Sequence, residues 1–277
     1  MADGPQDLTT GTDDLLASLD GGVLTLTLNR PGARNAFSLA LLDALGTLLE
    51  TAADDDRVRV VVVTGAGGSF CAGGDVKVLA RGESLFGPGD VEARRARQVA
   101  GQRATTVRLA QSVKPTVALL NGPAVGAGLA LALACDLRVA AESAVLHAGF
   151  TRAGLAGDFG CSWLLTQLVG PARAKELLFT SAPLTATAAR EWGLVNDVVP
   201  DAELLDRGSA LAHALAGTSA LALRAVKENV ARALTAGLTE SADAEVDWHV
   251  RLVETPEHRA AVAALSRPRS GPPGPAS

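Results

Sequence analysis

Arg59-Val60-Val61-Val62-Val63-Thr64 runs straight into Gly65-Ala66-Gly67-Gly68-Ser69-Phe70-Cys71-Ala72-Gly73-Gly74-Asp75. A β-branched run of this kind reads as a strand buried on both faces, as a parallel sheet requires. The glycines after it read as a tight loop. The same arrangement recurs downstream: Thr116 to Leu120 is a second buried strand, Gly122 to Gly128 a second Gly-rich turn, and Leu129 to Cys135 an apolar helix. Strand Leu137 to Ala140 follows, then an irregular stretch to Gly160 and a helix from Ser162. Upstream, Val23-Leu24-Thr25-Leu26-Thr27-Leu28 sets its threonines opposite its leucines and predicts a half-buried strand. Ser38 is placed to cap a helix whose Leu42, Leu45 and Leu49 share one face. Val91 to Gln111 carries basic charge at helical spacing. The order predicts an α/β core of stacked β-turn-α units.

From Thr185 onward the pattern is mostly helical, with Gly193 at a C-cap position and Thr255-Pro256 as an N-cap with proline at the first helical position. The predicted organisation is a flexible N-terminus over 1–14, a core over 15–200, a C-terminal helical subdomain over 201–265 and a disordered tail over 266–277. The tail's Pro, Gly and Ser content cannot build a core.

The 277 residues are 48% hydrophobic and 20% charged, with a formal net charge of −5, which fits a globular protein and gives no reason to expect nucleic acid or an anionic membrane as a partner. Three cysteines, Cys71, Cys135 and Cys161, without Cys-x-x-Cys spacing argue against a disulfide framework and a structural zinc site and fit the cytoplasm. No stretch is apolar for long enough to span a bilayer, and Met1 to Asp14 lacks the pattern of a signal peptide.

Both Gly-rich loops combine a strand, a glycine cluster and a helix start, where unpaired backbone N–H groups face an anion or a carbonyl oxygen gaining charge. Two such amides converging would form an oxyanion hole. The other reading is that the glycines only permit tight turns. A dinucleotide fingerprint fails at both loops, because Gly-x-Gly-x-x-Gly would need glycine at Phe70 or at Leu131, which argues against NAD or FAD.

Asn29-Arg30-Pro31 with Asn35-Ala36, Ser69 to Asp75, and Asn121-Gly122-Pro123-Ala124-Val125-Gly126-Ala127-Gly128 resemble, in order and spacing, the signature segments of the crotonase (enoyl-CoA hydratase/isomerase) family. Ala134-Cys135-Asp136, Gly193-Leu194-Val195-Asn196 and Pro256-Glu257-His258-Arg259 add to the likeness, which runs from about residue 15 to 265. The resemblance implies a crotonase fold of repeated β-β-α turns in a spiral core, with a helical C-terminal subdomain that assembles a homotrimer or a dimer of trimers. It implies an acyl-CoA thioester as substrate, with CoA part of that substrate and neither cofactor nor metal. Gly74 and Ala127 would supply the oxyanion-hole amides. Ala33, Arg34, Ala72, Asp75, Val76 and Lys77 lie where the family holds the adenine end of CoA; Arg34 and Lys77 otherwise read as solvated surface charges.

Family hydratases use two glutamates, and these positions are Ala130 and Phe150 in this chain. The segment Gly154-Leu155-Ala156-Gly157-Asp158-Phe159-Gly160 instead resembles dienoyl-CoA isomerases and 2-(1,2-epoxyphenyl)acetyl-CoA isomerases, in which one Asp moves the proton. Asp158 is thus the expected proton carrier, its pKa raised by Leu155, Phe159 and Trp163; its other reading is the N-cap of a helix starting near Phe159. Cys71, Cys161 and His147 lie nearby, His147 as a packed histidine or a pocket wall. The expected activity is isomerisation through a thioester enolate. The alternatives are another enolate reaction, such as decarboxylation, ring cleavage or atypical hydration, and a non-catalytic acyl-CoA-binding member.

Overall fold

The computed structural model describes residues 4–266. Contacts divide the chain into two compact units, 1–216 and 217–277.

The first unit is built on a sheet in the order β1-β2-β3-β4-β5-β7-β10. Its strands are β1 (Gln6–Leu8), β2 (Leu15–Asp20), β3 (Val23–Leu28), β4 (Val60–Gly65), β5 (Thr116–Leu120), β7 (Leu137–Ala141) and β10 (Asp197–Val199). The β1–β2 and β2–β3 pairs are antiparallel and the rest are parallel. Three short strands, β6 (Ala124–Val125), β8 (Val145–His147) and β9 (Leu184–Thr185), form a smaller sheet. An isolated parallel bridge from Cys71 to Ala124 adds a fourth chain segment beside it.

The helices of this unit are α1 (Leu39–Asp54), α2 (Val76–Ala80), α3 (Val91–Gln102), α4 (Arg108–Ala110), α5 (Ala127–Leu133), α6 (Cys161–Thr180), α7 (Ala186–Glu191) and α8 (Leu204–Ala216). A repeat is now visible. Strand β4 leads to Cys71 and then α2, β5 leads to β6 and then α5, and β7 leads to β8 and then α6. Each turn lays one strand in the large sheet and one segment at the small sheet before entering a helix. These are the stacked units expected from the glycine and valine pattern.

Local chemistry explains the elements. Ser38 Oγ accepts from the Leu41 amide and starts α1, which buries Leu42, Leu45 and Leu49. All of β4 is buried, because α1 and its neighbours cover one face while Leu204 and Ala212 of α8 pack with Val60, Val62, Val117 and Val139 on the other. That cover moves the boundary expected near residue 200 to the end of α8, since a two-faced valine strand leaves a bare apolar face without it. Gln6–Leu8 lies in the segment expected to be flexible and pairs with β2 as an edge strand. The tail beyond Ser266 lies outside the described residues. Helical regularity fails at two places among the described residues: the helix expected over 91–111 is interrupted by a π-helical turn at Arg103–Val107, and α6 is kinked at Gly170, just before Pro171.

The second unit contains α9 (Ala220–Ala233), α10 (Leu238–Leu252) and α11 (Pro256–Leu265). Thr255 Oγ1 caps α11 at the His258 amide, with Pro256 at its first position.

The motif Ala134-Cys135-Asp136 has a plain structural role. The Asp136 carboxylate accepts from the Thr116 amide at 2.7 Å and its hydroxyl at 2.9 Å, and the Asp136 amide donates back to Thr116 Oγ1 at 2.8 Å. This clamp fixes where β5 begins and therefore where the loop after it emerges. Thr116→Val should cost about 1–3 kcal/mol, because it strips a part-buried carboxylate of a donor. Urea unfolding checks this, and an unchanged midpoint would contradict it.

Candidate functional site

Three chain segments meet where the successive turns of the repeat enter their helices. The first is held by Asn35, fully buried with a left-handed φ of 55°. Its Nδ2 donates to the carbonyls of Ala66 and Ser69, and its Oδ1 accepts from the Arg30 amide. Around it residues 34–37 zip onto the first Gly-rich loop: the Ala72 amide donates to Arg34 O, and the Phe37 amide donates to Gly73 O at 2.8 Å. Of the residues expected to hold CoA, Arg34 and Ala72 are therefore joined by a backbone bond. Ala33 closes the short helical turn Pro31–Ala33, and Val76 opens α2. Asp75 Oδ1 accepts from the Lys77 amide, and its other oxygen lies 3.8 Å from Arg30. Lys77 is exposed.

The two Gly-rich loops press backbone on backbone. The Val125 amide donates to Cys71 O at 2.8 Å, and the Cys71 amide donates to Pro123 O. A Cβ on Gly128 would stand 2.3 Å from Cys71 O, so the approach requires glycine. Gly74 and Ala127 lie on either side of this seam. Among the described residues neither amide has an acceptor, although Ala127 is only 4% exposed. A buried amide without a partner is costly. At the first position of α5, the Ala127 N–H is one of the donors a helix leaves open.

The third segment is the loop carrying Asp158. Phe159 is buried with a left-handed φ of 51°, unusual for an aromatic residue, and its ring packs 5.1 Å from that of Phe37. Two glutamines one turn apart on α3 hold the loop. Gln98 Nε2 donates to Asp158 Oδ2 at 3.2 Å, and Gln102 Oε1 accepts from the Phe159 amide at 3.0 Å. Asp158 Oδ1 is buried and has no partner. Burial pushes the carboxyl up from 3.8 to about 6. Phe150 links this loop to the seam between the two Gly-rich loops: its ring carbons lie within 4 Å of where a Cβ would stand on both Gly126 and Gly157.

The N-cap reading of Asp158 is excluded. Gly160 takes the cap position of α6 without a side-chain bond, and the Asp158 carboxylate binds a side-chain amide instead. The expected walls need correcting: Leu155 and Trp163 are 51% and 58% exposed, and the buried neighbours along the chain are Phe159 and Cys161. Cys71 and Cys161 are both pushed up to about 12 by burial, so neither supplies a thiolate near neutral pH. His147 is a packed residue whose Nε2 lies 2.8 Å from Ser181 O. Among the described residues no group of three His, Cys, Asp or Glu side chains is placed to hold a metal ion. Sequence reading missed Gln98, Gln102 and the role of Asn35; the one available signal was the four-residue spacing of two glutamines in a basic helix.

The family model described as enoyl-CoA hydratase/isomerase matches residues 18–267. The chain belongs to this family. It has the crotonase fold, a mixed α/β architecture around a central parallel sheet. It is 35% identical over 92% of its length to the 1,2-epoxyphenylacetyl-CoA isomerase of Escherichia coli K12, spanning 96% of that protein. It is 39% identical over 83% of its length to a probable enoyl-CoA hydratase of Mycobacterium leprae, spanning 76% of it. A solved protein of Thermobifida fusca YX, named after the enoyl-CoA hydratases and in complex with acetoacetyl-CoA, superposes with a TM-score of 0.81 at 32% identity, over 88% of this chain and 96% of that one. Both hydratase and isomerase names thus occur among its crotonase relatives.

The raised Asp158 pKa makes a prediction that needs no substrate. The folded protein holds this proton more tightly than the unfolded chain, so stability falls as pH rises through the window from 3.8 to about 6. The penalty is absent below that window and complete above it, where it reaches about 3 kcal/mol. Asp158→Asn should therefore melt higher than wild type at pH 8, with the gain vanishing near pH 4. A difference independent of pH in thermal unfolding would contradict this.

Proposed function

We propose that this crotonase is an acyl-CoA isomerase that moves a proton with Asp158 and holds a thioester enolate at the amides of Gly74 and Ala127. The observation that carries the reading is a buried carboxyl with a bare oxygen next to Gly157, whose neighbour Phe150 also reaches Gly126, beside the unpartnered amide of Ala127 and across the seam from that of Gly74. In this reading the Asp158 carboxylate removes a proton from a carbon conjugated with the thioester carbonyl. The electron pair moves into the carbonyl, and the resulting enolate oxygen accepts both N–H groups. Each such donor typically contributes about 3 kcal/mol to the transition state. The Asp158 acid then returns the proton at another carbon, so that a double bond has shifted and the carboxylate is regenerated. Ring isomerisation of an epoxide fits the same parts, and the likeness to the Escherichia coli enzyme supports it.

The substrate reading draws on the Thermobifida fusca complex with acetoacetyl-CoA. Ala33, Arg34, Ala72, Asp75, Val76 and Lys77 would hold its nucleotide end. Such a reaction needs neither metal nor redox cofactor. Water addition is disfavoured, because Ala130 and Phe150 are buried apolar residues where hydratases of the family place glutamates. A homotrimer or dimer of trimers is proposed from the second unit, where Val226, Val230, Leu234 and Leu238 are exposed. The free, buried cysteines support a cytoplasmic setting.

Two assays test the reading. Crotonyl-CoA should be hydrated far below a typical enzymatic rate of about 10 per second. Isomerisation, followed by absorbance or chromatography because mass does not change, should fall about 10²–10⁴-fold in Asp158→Asn with binding of the thioester retained. Fast hydration, or an Asp158→Asn enzyme with more than about a tenth of wild-type activity, would overturn the proposal.

A further inference from the structure

Asp158 has two oxygens in unlike surroundings, and the cause lies on another element. Gln98 Nε2 holds Oδ2, while Oδ1 is buried and unpartnered. One helical turn further along α3, Gln102 holds the amide of the next residue, Phe159, in its left-handed conformation. Adjacent loop residues are thus gripped by side chains four apart on one helix face. The helix is itself anchored. Asp90 caps it at the Ala93 amide, and Arg97 Nε donates to the carbonyl of buried Phe86 at 2.5 Å. Both glutamines are half-buried, which lessens the competition from water for their partners.

We propose that Gln98 is a positioning residue for Asp158: it holds Oδ2 and so makes Oδ1 the oxygen that takes and returns the proton. The inference rests on Asp158 being the proton carrier and adds what selects the reacting atom. An amide donor is suited to this. It binds Oδ2 of the carboxylate, and once Oδ1 is protonated Oδ2 remains a carbonyl acceptor, so the bond persists through both protonation states. The carboxyl need not rotate between abstraction and return, which keeps the reacting oxygen in place through the step. The bond also favours the charged form and opposes the effect of burial, so the carboxyl stays a usable base near neutral pH.

Among the described residues no other group close to the carboxyl competes for this role. Cys161 on α6 is the titratable neighbour and stays neutral, its thiol pushed up by burial and by the Asp158 charge. On α3, Arg94 binds the Asp90 carbonyl, Arg97 binds those of Phe86 and Pro88, and Arg95 is exposed. Helix α5 bears no charged side chain.

The test compares the full-length wild type with Gln98→Met, which keeps the shape and loses the donor, Gln98→Lys, which makes the donor a cation, and Asp158→Asn. Aspartate labelled with ¹³C at the side-chain carboxyl allows Asp158 to be titrated by NMR, its resonance assigned by its absence in Asp158→Asn. Gln98→Met should raise the Asp158 pKa by about half to one unit, and Gln98→Lys should lower it. The acidic limb of kcat/KM should move in the same directions, and kcat of Gln98→Met should fall about tenfold with KM little changed. A merely structural role for Gln98 would move neither the titration nor the limb. Folded Gln98 variants in which Asp158 titrates as in wild type, while Asp158→Asn is inactive, overturn the inference alone. Full activity in Asp158→Asn overturns the reading beneath it.

Discussion

The contact on which the site depends is the seam between Cys71 and the segment Pro123–Gly128, where two main chains meet without a side chain between them. The parallel strands β4 and β5 deliver these segments side by side, and the Asp136–Thr116 clamp sets where the second one starts. Gly74 and Ala127 flank the seam with amides turned away from any internal acceptor. A longer side chain at Gly128 would drive the loops apart and separate the donors. In this crotonase, then, the two amides follow from the register of the sheet rather than from any catalytic side chain.

The same repeat places Asp158. The three turns β4 to α2, β5 to α5 and β7 to α6 bring their helix entrances to one end of the spiral. Gly74 lies two residues before α2, Ala127 is the first residue of α5 and Asp158 lies three residues before α6. The third entrance differs because its backbone is bent by a left-handed Phe159 and supported from α3 by Gln98 and Gln102. The left-handed φ of Phe159 and the bare oxygen and raised pKa of Asp158 arise where this loop turns inward, from exposed residues 154–157 to buried Phe159. Such costs are sustained where the surrounding structure leaves no alternative.

Much of this was legible in the sequence because it is written in local chemistry. Alternation in Val23–Leu28, the valine run of β4 and the caps Ser38 and Thr255 each state their element through residues a few positions apart. The two glycine clusters announce their loops in the same way. What could not be read depends on partners distant in the chain. The two-faced burial of β4 called for a second cover without naming α8. The basic pattern of residues 91–111 gave no sign of the π-helical turn at Arg103–Val107. Gln98 and Gln102 gain meaning only from their distance to residues near 158. Leu155 and Trp163 look like pocket walls on a string of letters, but the fold turns them outward.

The most direct test of the account is solvent exchange on the substrate itself. An acyl-CoA with acidic α-protons, such as phenylacetyl-CoA, is incubated in D₂O with wild type and with Asp158→Asn, and deuterium at the α-carbon is followed by ¹H NMR. If two amides hold an enolate that Asp158 forms, the wild-type enzyme exchanges these protons and the variant does not. Exchange at the same rate in both proteins would show that another group removes the proton and would contradict the account.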